Sequence, residues 1–421
     1  MFSLLDLAAI LLTLSALFGW LSHKFIPLPQ SIGLLVMSVV VSIILVGVDI
    51  AFPAEHLFDA LTEALLQIDF TSVVMNGMLG FLLFAGALHV DLGKLRSRAI
   101  PVAILAFFGT VISTTVVGLA FCGVSRLIGH PMTLSWALVF GALISPTDPV
   151  AVLSTLKNVS VPSNLEVEMQ GEALFNDGVG IVLFTILLRF AAGGGEDTSS
   201  TAISELLLLE AGGGVLLGLV TGYIAYQAMR LIDDYPIEVL ITLALVTGTY
   251  TLAQRLHISG PLSVVAAGLL IGDRGPRYAM SKRTQTYVFG LWTLIDEILN
   301  SVLFLLIGLE VLVLRFEPLA LLAAGAAIPI VLAARLFAVA LPPLLFVWSN
   351  LMSVYNVPFM TWAGIRGGIS VALALSLPDS AAKPTILAAT YAVVLFCIIV
   401  QGSTLGIVAK KTIRTQIRSE N

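Results

Sequence analysis

Charged residues are scarce in this chain of 421 residues. Asp, Glu, Lys and Arg together make up 11% of the sequence, hydrophobic residues make up 58%, and the mean hydropathy is +1.02. An ordinary soluble domain contains about 25% charged residues. A soluble fold is therefore excluded, because so little charge cannot cover the surface of a globular protein of this size.

Several signatures of other protein classes are also missing. The chain has two cysteines, both inside apolar runs, which predicts neither a disulfide framework nor a cysteine metal site. It contains no HExxH metal motif, no nucleophile elbow and no phosphate-binding glycine loop. It also lacks a basic stripe interleaved with aromatic residues. These absences argue against an enzyme and against nucleic-acid binding, and no cofactor is expected.

Long apolar runs are what the sequence has instead, and each of about 20 residues can cross a bilayer core of about 30 Å. We predict thirteen spans, with the ninth one short and the stretch 53–67 an interfacial helix. The fold class is therefore an all-α polytopic membrane protein, with one transmembrane domain over 1–409 and a short tail over 410–421. The spans begin near residues 4, 32, 70, 99, 134, 169, 206, 237, 261, 291, 319, 359 and 385.

The loop charges agree with this number of spans. With the C-terminus in the cytoplasm and the N-terminus outside, fourteen of the 21 Lys and Arg residues fall on the cytoplasmic side. Five fall outside, and Arg335 and Arg366 lie within spans. Such a positive-inside bias is typical of a multi-pass protein of the cell membrane.

Two predicted spans are interrupted near their middle. The fifth contains Ser145-Pro146-Thr147-Asp148-Pro149, and each proline disfavours a helix interior by about 3 kcal/mol. The twelfth contains glycines on both sides of Arg366. If residues 1–190 and 235–409 are inverted halves joined by a span over 205–230, both breaks occupy the fifth span of a half. Matched broken helices indicate a transporter's binding site, with the breaks crossing at mid-membrane.

A buried carboxylate follows in the sixth span, where Asn176 and Asp177 lie among small residues. Intramembrane ionisable residues are functional by default. Burial disfavours the bare charge, so such a carboxylate binds either a proton or a small cation. Competition for Asp177, combined with alternating access, would give antiport. The hydroxyl of Thr147 and the carbonyl groups around Thr147 and Asp148 would complete an oxygen site for a metal ion such as Na⁺.

The remaining charges within spans need partners. We expect Glu172 to pair with Arg366, which would tie the sixth span to the broken twelfth. Arg335 would counter the carbonyl end of a half-helix, and Asp148 would do the converse at a half-helix N-terminus. Asp296 and Glu297, near the predicted start of the tenth span, are expected at the membrane interface. His89 is read as an interfacial histidine, with a pH-sensing role as the alternative.

These motifs resemble the monovalent cation/proton antiporter family, in its sodium/proton exchanger branch. The resemblance runs from the third span to the last, and five pieces carry it together: 145–149, 172–180, 259–261, 300–308 and 364–368. It implies a core domain, a dimerisation domain, a homodimer and elevator-like movement of the core. It also implies that Asp177 is the shared carboxylate, that Asn176 stabilises the site, and that Glu172 pairs with Arg366.

The Asn176-Asp177 pair resembles the electroneutral branch, which implies exchange of one Na⁺ or Li⁺ for one proton. Ala85 and Ala173 replace oxygen-bearing residues found in many relatives, which affects cation choice rather than the carboxylate mechanism. The same mechanism with K⁺ remains open. Two other functions are alternatives. A symporter of organic anions would need an unpaired cationic residue in the cavity, and a channel would need a pore with several weak ion-binding sites.

Overall fold

The computed structural model describes residues 4–26, 28–51, 70–129, 131–148, 152, 156, 161–193, 208–311, 318–345 and 354–420. All regular structure within these residues is helical. Ten of the helices are long and apolar enough to cross a membrane. The prediction of an all-α polytopic membrane protein is confirmed.

We number the helices in chain order. They are α1 (Leu4–Phe25), α2 (Gln30–Ala51), α3 (Phe70–Leu88), α4 (Leu92–Ser97), α5 (Ala99–Leu127), α6 (Leu134–Ile144), α7 (Ser163–Ala191), α8 (Leu209–Arg230), α9 (Tyr235–Arg255), α10 (Gly260–Arg274), α11 (Lys282–Glu310), α12 (Pro318–Leu345), α13 (Val357–Trp362), α14 (Gly368–Leu375) and α15 (Lys383–Thr412). Turns of π-helix interrupt α3, α5 and α15.

The three predicted spans that are not among the ten long helices are the fifth, the ninth and the twelfth. The fifth is represented by α6, which has 11 residues and ends just before the first proline. The ninth is α10, with 15 residues, and the twelfth is divided into α13 and α14. The total of thirteen crossings and the inverted halves therefore stay predictions. The predicted interfacial helix 53–67 lies outside the described residues.

The start predicted for the tenth span was wrong. The helix begins at Lys282 rather than near Leu291, because Ser281 caps its N-terminus by accepting from the backbone N–H of Thr284 at 3.3 Å. Asp296 and Glu297 consequently lie in the middle of a 29-residue helix rather than near its start.

Small residues let α8 and α10 pack closely. A Cβ added at Gly214 would lie 2.7 Å from the carbonyl oxygen of Ser259, and one added at Gly218 would lie 2.9 Å from the Cβ of Ala266. Both positions are too crowded for any side chain. Gly214 and Gly218 therefore form a packing surface on α8.

The buried apolar residues form two large clusters. One includes Phe121 of α5 and Phe140 of α6, whose rings lie 4.5 Å apart. The other includes Phe84 of α3 and Trp292 of α11, with ring centroids 4.6 Å apart. A cavity of about 460 Å³ is lined by residues of α3, α7, α11 and both helix breaks.

Candidate ion-binding site

The backbone of the first break contacts the backbone of the second. After α6 ends, the chain from Ser145 to Asp148 is non-helical, as are residues 364–367. The N–H of Asp148 donates to the carbonyl of Ile365 at 2.8 Å, so one break satisfies a buried backbone group of the other. The two predicted breaks are thus present and in direct contact.

Asn176 of α7 fixes the conformation of Thr147. Its amide nitrogen donates to Thr147 Oγ1 at 2.9 Å, and its amide oxygen accepts from the backbone N–H of Thr147 at 3.3 Å. Both residues are buried, and only an amide side chain can donate and accept at once in this way. Close packing supports the arrangement, since a Cβ at Gly180 would lie 3.0 Å from Cδ of Pro146.

Asp177 is buried, with 4% of its surface exposed, and lines the 460 Å³ cavity together with Thr147 and Asp148. Three of the predicted site residues thus line one cavity, and the fourth, Asn176, is bonded to Thr147. Ala85 lines the same cavity and Ala173 lines a small void beside Glu172, and neither methyl group offers an oxygen.

The expected pairing of Glu172 with Arg366 was wrong. Arg366 instead donates through Nη1 to the carbonyl oxygens of Ser145 and Pro146, the latter at 3.0 Å. These carbonyl groups follow the C-terminus of α6, where prolines remove the donors that would continue the helix. A cation there offsets the partial negative charge of the helix end.

Glu172 pairs with Arg335 of α12. Both Nη atoms of Arg335 donate to the carboxylate, with Nη2 to Oε2 at 2.9 Å. Arg335 Nη2 also lies 3.3 Å from the carbonyl oxygen of Met360, near the end of the half-helix α13. The expected role of Arg335 at a half-helix end agrees with this contact. The pattern along α7 could not reveal which arginine faces Glu172.

A second ion pair on α7 was missed. Glu168 is one turn before Glu172, and its Oε1 lies 2.8 Å from Nε of Arg98, which precedes α5. Glu168, Glu172 and Asn176 recur at intervals of four residues, which places them on one helix face. This spacing was visible in the sequence and could have indicated a polar face that runs from the N-terminal end of α7 to the site.

Residues of α11 add polar groups to the cavity. Asp296, Glu297, Asn300 and Ser301 line it together with Asp177. Asn300 donates to Oδ1 of Asp296 at 3.0 Å. The cavity therefore offers several oxygen atoms, and oxygen ligands are what hard cations prefer. The interfacial position expected for Asp296 and Glu297 stays a prediction.

A carboxylate in this setting has two ways to lose its bare charge. It can be protonated, or it can bind a small cation with neighbouring hydroxyl and carbonyl oxygens. Within the described residues, no three His, Cys, Asp or Glu side chains form a cluster able to hold a resident metal ion. The buried carboxylates at positions 172 and 168 have arginine partners, whereas Asp177 and Asp148 both line the cavity with Thr147.

Comparison with known proteins agrees with this geometry. Residues 11–411 match the family described as sodium/hydrogen exchanger, transmembrane. The chain belongs to this family. The Na⁺/H⁺ antiporter NhaP of Pseudomonas aeruginosa is 44% identical over 409 residues, which cover 96% of both chains. The Na⁺/H⁺ antiporter NhaH of Halobacillus dabanensis is 36% identical over 377 residues, or 88% of this chain and 91% of that one.

Among solved structures, this member of the exchanger family is similar to the sodium proton antiporter MjNhaP1 from Methanocaldococcus jannaschii at pH 8. The TM-score is 0.75 and the sequence identity 20%, with 96% of this chain and 97% of the other covered. At this identity the likeness establishes the fold. The fold is thus that of a membrane antiporter.

Proposed function

We propose that the protein exchanges Na⁺ or Li⁺ for H⁺ across the cell membrane, at a ratio of one to one. The proposal rests above all on Asp177, a buried carboxylate at the wall of a cavity, beside a threonine that Asn176 holds in place. Family membership and the antiporters named above support the same reaction.

In this mechanism a proton and a cation compete for Asp177. Thr147 and the backbone of Asp148 contribute oxygen ligands to the cation, and Asn176 keeps Thr147 oriented. A site occupied by either ion is close to neutral, whereas the empty, charged site is costly in a low-dielectric region. Movement between inward-open and outward-open states is then favoured only when an ion is bound, which couples the two fluxes.

The exchange is expected to be electroneutral because Asn176 carries no charge. One carboxylate then carries either one Na⁺ or one H⁺ in each crossing. We further propose a homodimer with a core domain and a dimerisation domain, an outside N-terminus and a cytoplasmic C-terminus. In the cell such exchange would contribute to pH homeostasis.

Potassium is the alternative substrate. Ala85 and Ala173 offer methyl groups where many relatives have oxygen ligands, and a site with fewer fixed oxygens distinguishes less sharply between cations of different size. The same assay therefore has to compare Na⁺, Li⁺ and K⁺.

The test uses purified protein in liposomes that contain a pH-sensitive dye, with an imposed proton gradient. We expect Na⁺ or Li⁺ to collapse the gradient at the same rate with and without a clamp of the membrane potential. Asp177→Asn should reduce the response to that of protein-free liposomes. Glu210→Gln removes a carboxylate that lies outside the cavity beside Arg189 and serves as the matched control.

Two results would reject the proposal. One is the absence of any cation response in the wild-type protein between about pH 5 and 9, the range in which a perturbed carboxylate titrates. The other is full exchange by Asp177→Asn. A rate that depends on the clamp would reject electroneutrality alone.

A further inference from the structure

His89 lies at the cavity wall, directly after the last residue of α3. Its side chain is exposed, and its ring bridges two helices. Nδ1 lies 2.7 Å from the carbonyl oxygen of Ala85, one turn earlier on α3. Nε2 lies 3.1 Å from Oγ1 of Thr293 on α11. The reaction described above does not use this residue.

The two ring nitrogens have partners of different kinds. A carbonyl oxygen only accepts hydrogen bonds, so the proton of neutral His89 lies on Nδ1. Thr293 can donate its hydroxyl proton to Nε2, or it can donate to the carbonyl of Phe289 at 2.9 Å and accept from Nε2. The second arrangement gives the imidazolium an acceptor for each of its two N–H groups. Rotation of one hydroxyl therefore accommodates a second proton on His89 without breaking the bridge.

The ring of His89 lies at the carbonyl end of α3. The ring packs edge-on against Phe289 at 5.5 Å. Water in the cavity can deliver the proton, because the side chain is exposed. Histidine is the side chain that changes charge between about pH 5 and 8.

His89 differs from the other ionisable residues of the cavity, because it can carry a positive charge and they can carry a negative one. Among the described residues that line the cavity, the others able to carry charge are acids: Asp148, Asp177, Asp296 and Glu297. Charged groups also lie on the elements next to α3. Asp91 before α4 accepts from the N–H groups of Gly93 and Lys94, Asp273 of α10 pairs with Arg277, and Glu238 of α9 accepts from Thr284. On α7, Glu168 pairs with Arg98 and Glu172 with Arg335, and α4 carries the basic residues Lys94 and Arg96.

We propose that His89 is a second proton-binding site, at the wall of the cavity, and that its protonation hinders cation entry to Asp177. An imidazolium offsets part of the negative charge that draws Na⁺ into the cavity, and local charge of this kind sets the concentration of ions at a site. Protons would then oppose Na⁺ twice, directly at Asp177 and indirectly through His89. This inference rests on the proposed function, since it concerns the affinity for the exchanged cation.

The test is the apparent KM for Na⁺, measured from initial rates of tracer sodium uptake into proteoliposomes loaded with unlabelled Na⁺. The pH is equal on both faces and is varied between about 5.5 and 8.5, which spans the range of histidine. His89→Gln is the central variant, because its amide can still donate to Ala85 and accept from Thr293 but cannot become charged. Thermal unfolding of each variant in detergent checks that the bridge is kept.

We expect wild type and His89→Gln to have equal KM values at the highest pH. At the lowest pH the wild-type value should exceed that of the variant roughly two- to tenfold, as expected for a unit charge acting across a water-filled cavity. A ratio that does not change with pH would overturn the proposal and leave His89 as a structural tether. His89→Arg, which is charged at every pH, should raise KM throughout, and an unchanged KM at high pH would contradict the proposal.

Thr293→Val provides a second route to the same answer if His89→Gln is unstable. Valine has the shape of threonine but cannot accept from Nε2–H, so the acid-side rise in KM should move to lower pH. If the rise in KM stays at the same pH, the proposed role of the Thr293 hydroxyl is contradicted. Wild-type protein that takes up no Na⁺ at any pH would instead reject the proposed function, so that the two failures are distinguishable.

Discussion

The break after α6 is marked by Pro146 and Pro149, whereas the break between α13 and α14 contains Gly364 and Gly367. Prolines remove donors, and the carbonyl groups of Ser145 and Pro146 are bonded by Arg366 from the other break. Glycines give space, and Gly364 and Gly367 are the positions where Arg335 and Asp148 approach. A break made by prolines thus requires a hydrogen-bond donor from another segment for its carbonyl groups. A break made by glycines requires positions without side chains, so that neighbouring residues can approach.

The two buried arginines differ in the same way. Arg335 faces a carboxylate, and its removal would leave the charge of Glu172 buried without a partner. Arg366 faces the neutral carbonyl groups of Ser145 and Pro146, and Pro146 lines the cavity. We therefore expect loss of Arg335 to act mainly on stability, and loss of Arg366 mainly on the shape of the site.

The largest effect is expected for Arg335→Ala. Removing one partner of a buried ion pair costs about 3–5 kcal/mol, because the other charge stays desolvated. The measurement is thermal or denaturant unfolding in detergent. The double variant Arg335→Met with Glu172→Met removes both charges and should regain most of that loss. If the double variant is as unstable as the single one, the loss of stability does not come from the unpaired charge of Glu172.

A smaller loss of stability is expected for Arg366→Met. Hydrogen bonds to a charged group contribute about 1.5–3 kcal/mol, and water in the cavity can replace part of them. Exchange should fall more strongly, since Thr147 and Asp148 follow the carbonyl groups that Arg366 bonds. Arg366→Lys restores the charge but not the guanidinium geometry that lets Nη1 donate to both carbonyl oxygens, and is expected to recover stability better than exchange. Normal exchange by Arg366→Met would contradict the assigned role.

The smallest effect is expected for Gly367→Ala. The added Cβ would lie 2.7 Å from Cβ of Asp148, and such overpacking costs about 1–3 kcal/mol. Gly325→Ala in α12 is the matched control, because nothing lies within 4 Å of its added Cβ. Alanine within a helix is better than glycine by about 1 kcal/mol, so the control should be neutral or stabilising. Equal stability of both variants would show that the second break does not require close approach.

The sequence predicted the features that depend on local chemistry. Pro146 and Pro149 mark the first break because they cannot continue a helix, and the glycines on both sides of Arg366 mark the second. It could not predict which arginine meets Glu172, because that depends on how α12 rotates against α7. The start of α11 was misplaced because the polar residues 282–286 do not resemble a membrane span, although they begin a helix that Ser281 caps. As a result, the position of Asp296 and Glu297 on the cavity wall was also missed.

The central claim is that Na⁺ and H⁺ compete for Asp177, and proton release tests it most directly. Na⁺ is added to purified protein in weakly buffered detergent solution, at a pH where the site is protonated, and the released protons are counted. The account predicts close to one proton for each Na⁺ bound by the wild-type protein, and none from Asp177→Asn. Sodium binding without proton release, or equal release from the variant, would contradict it.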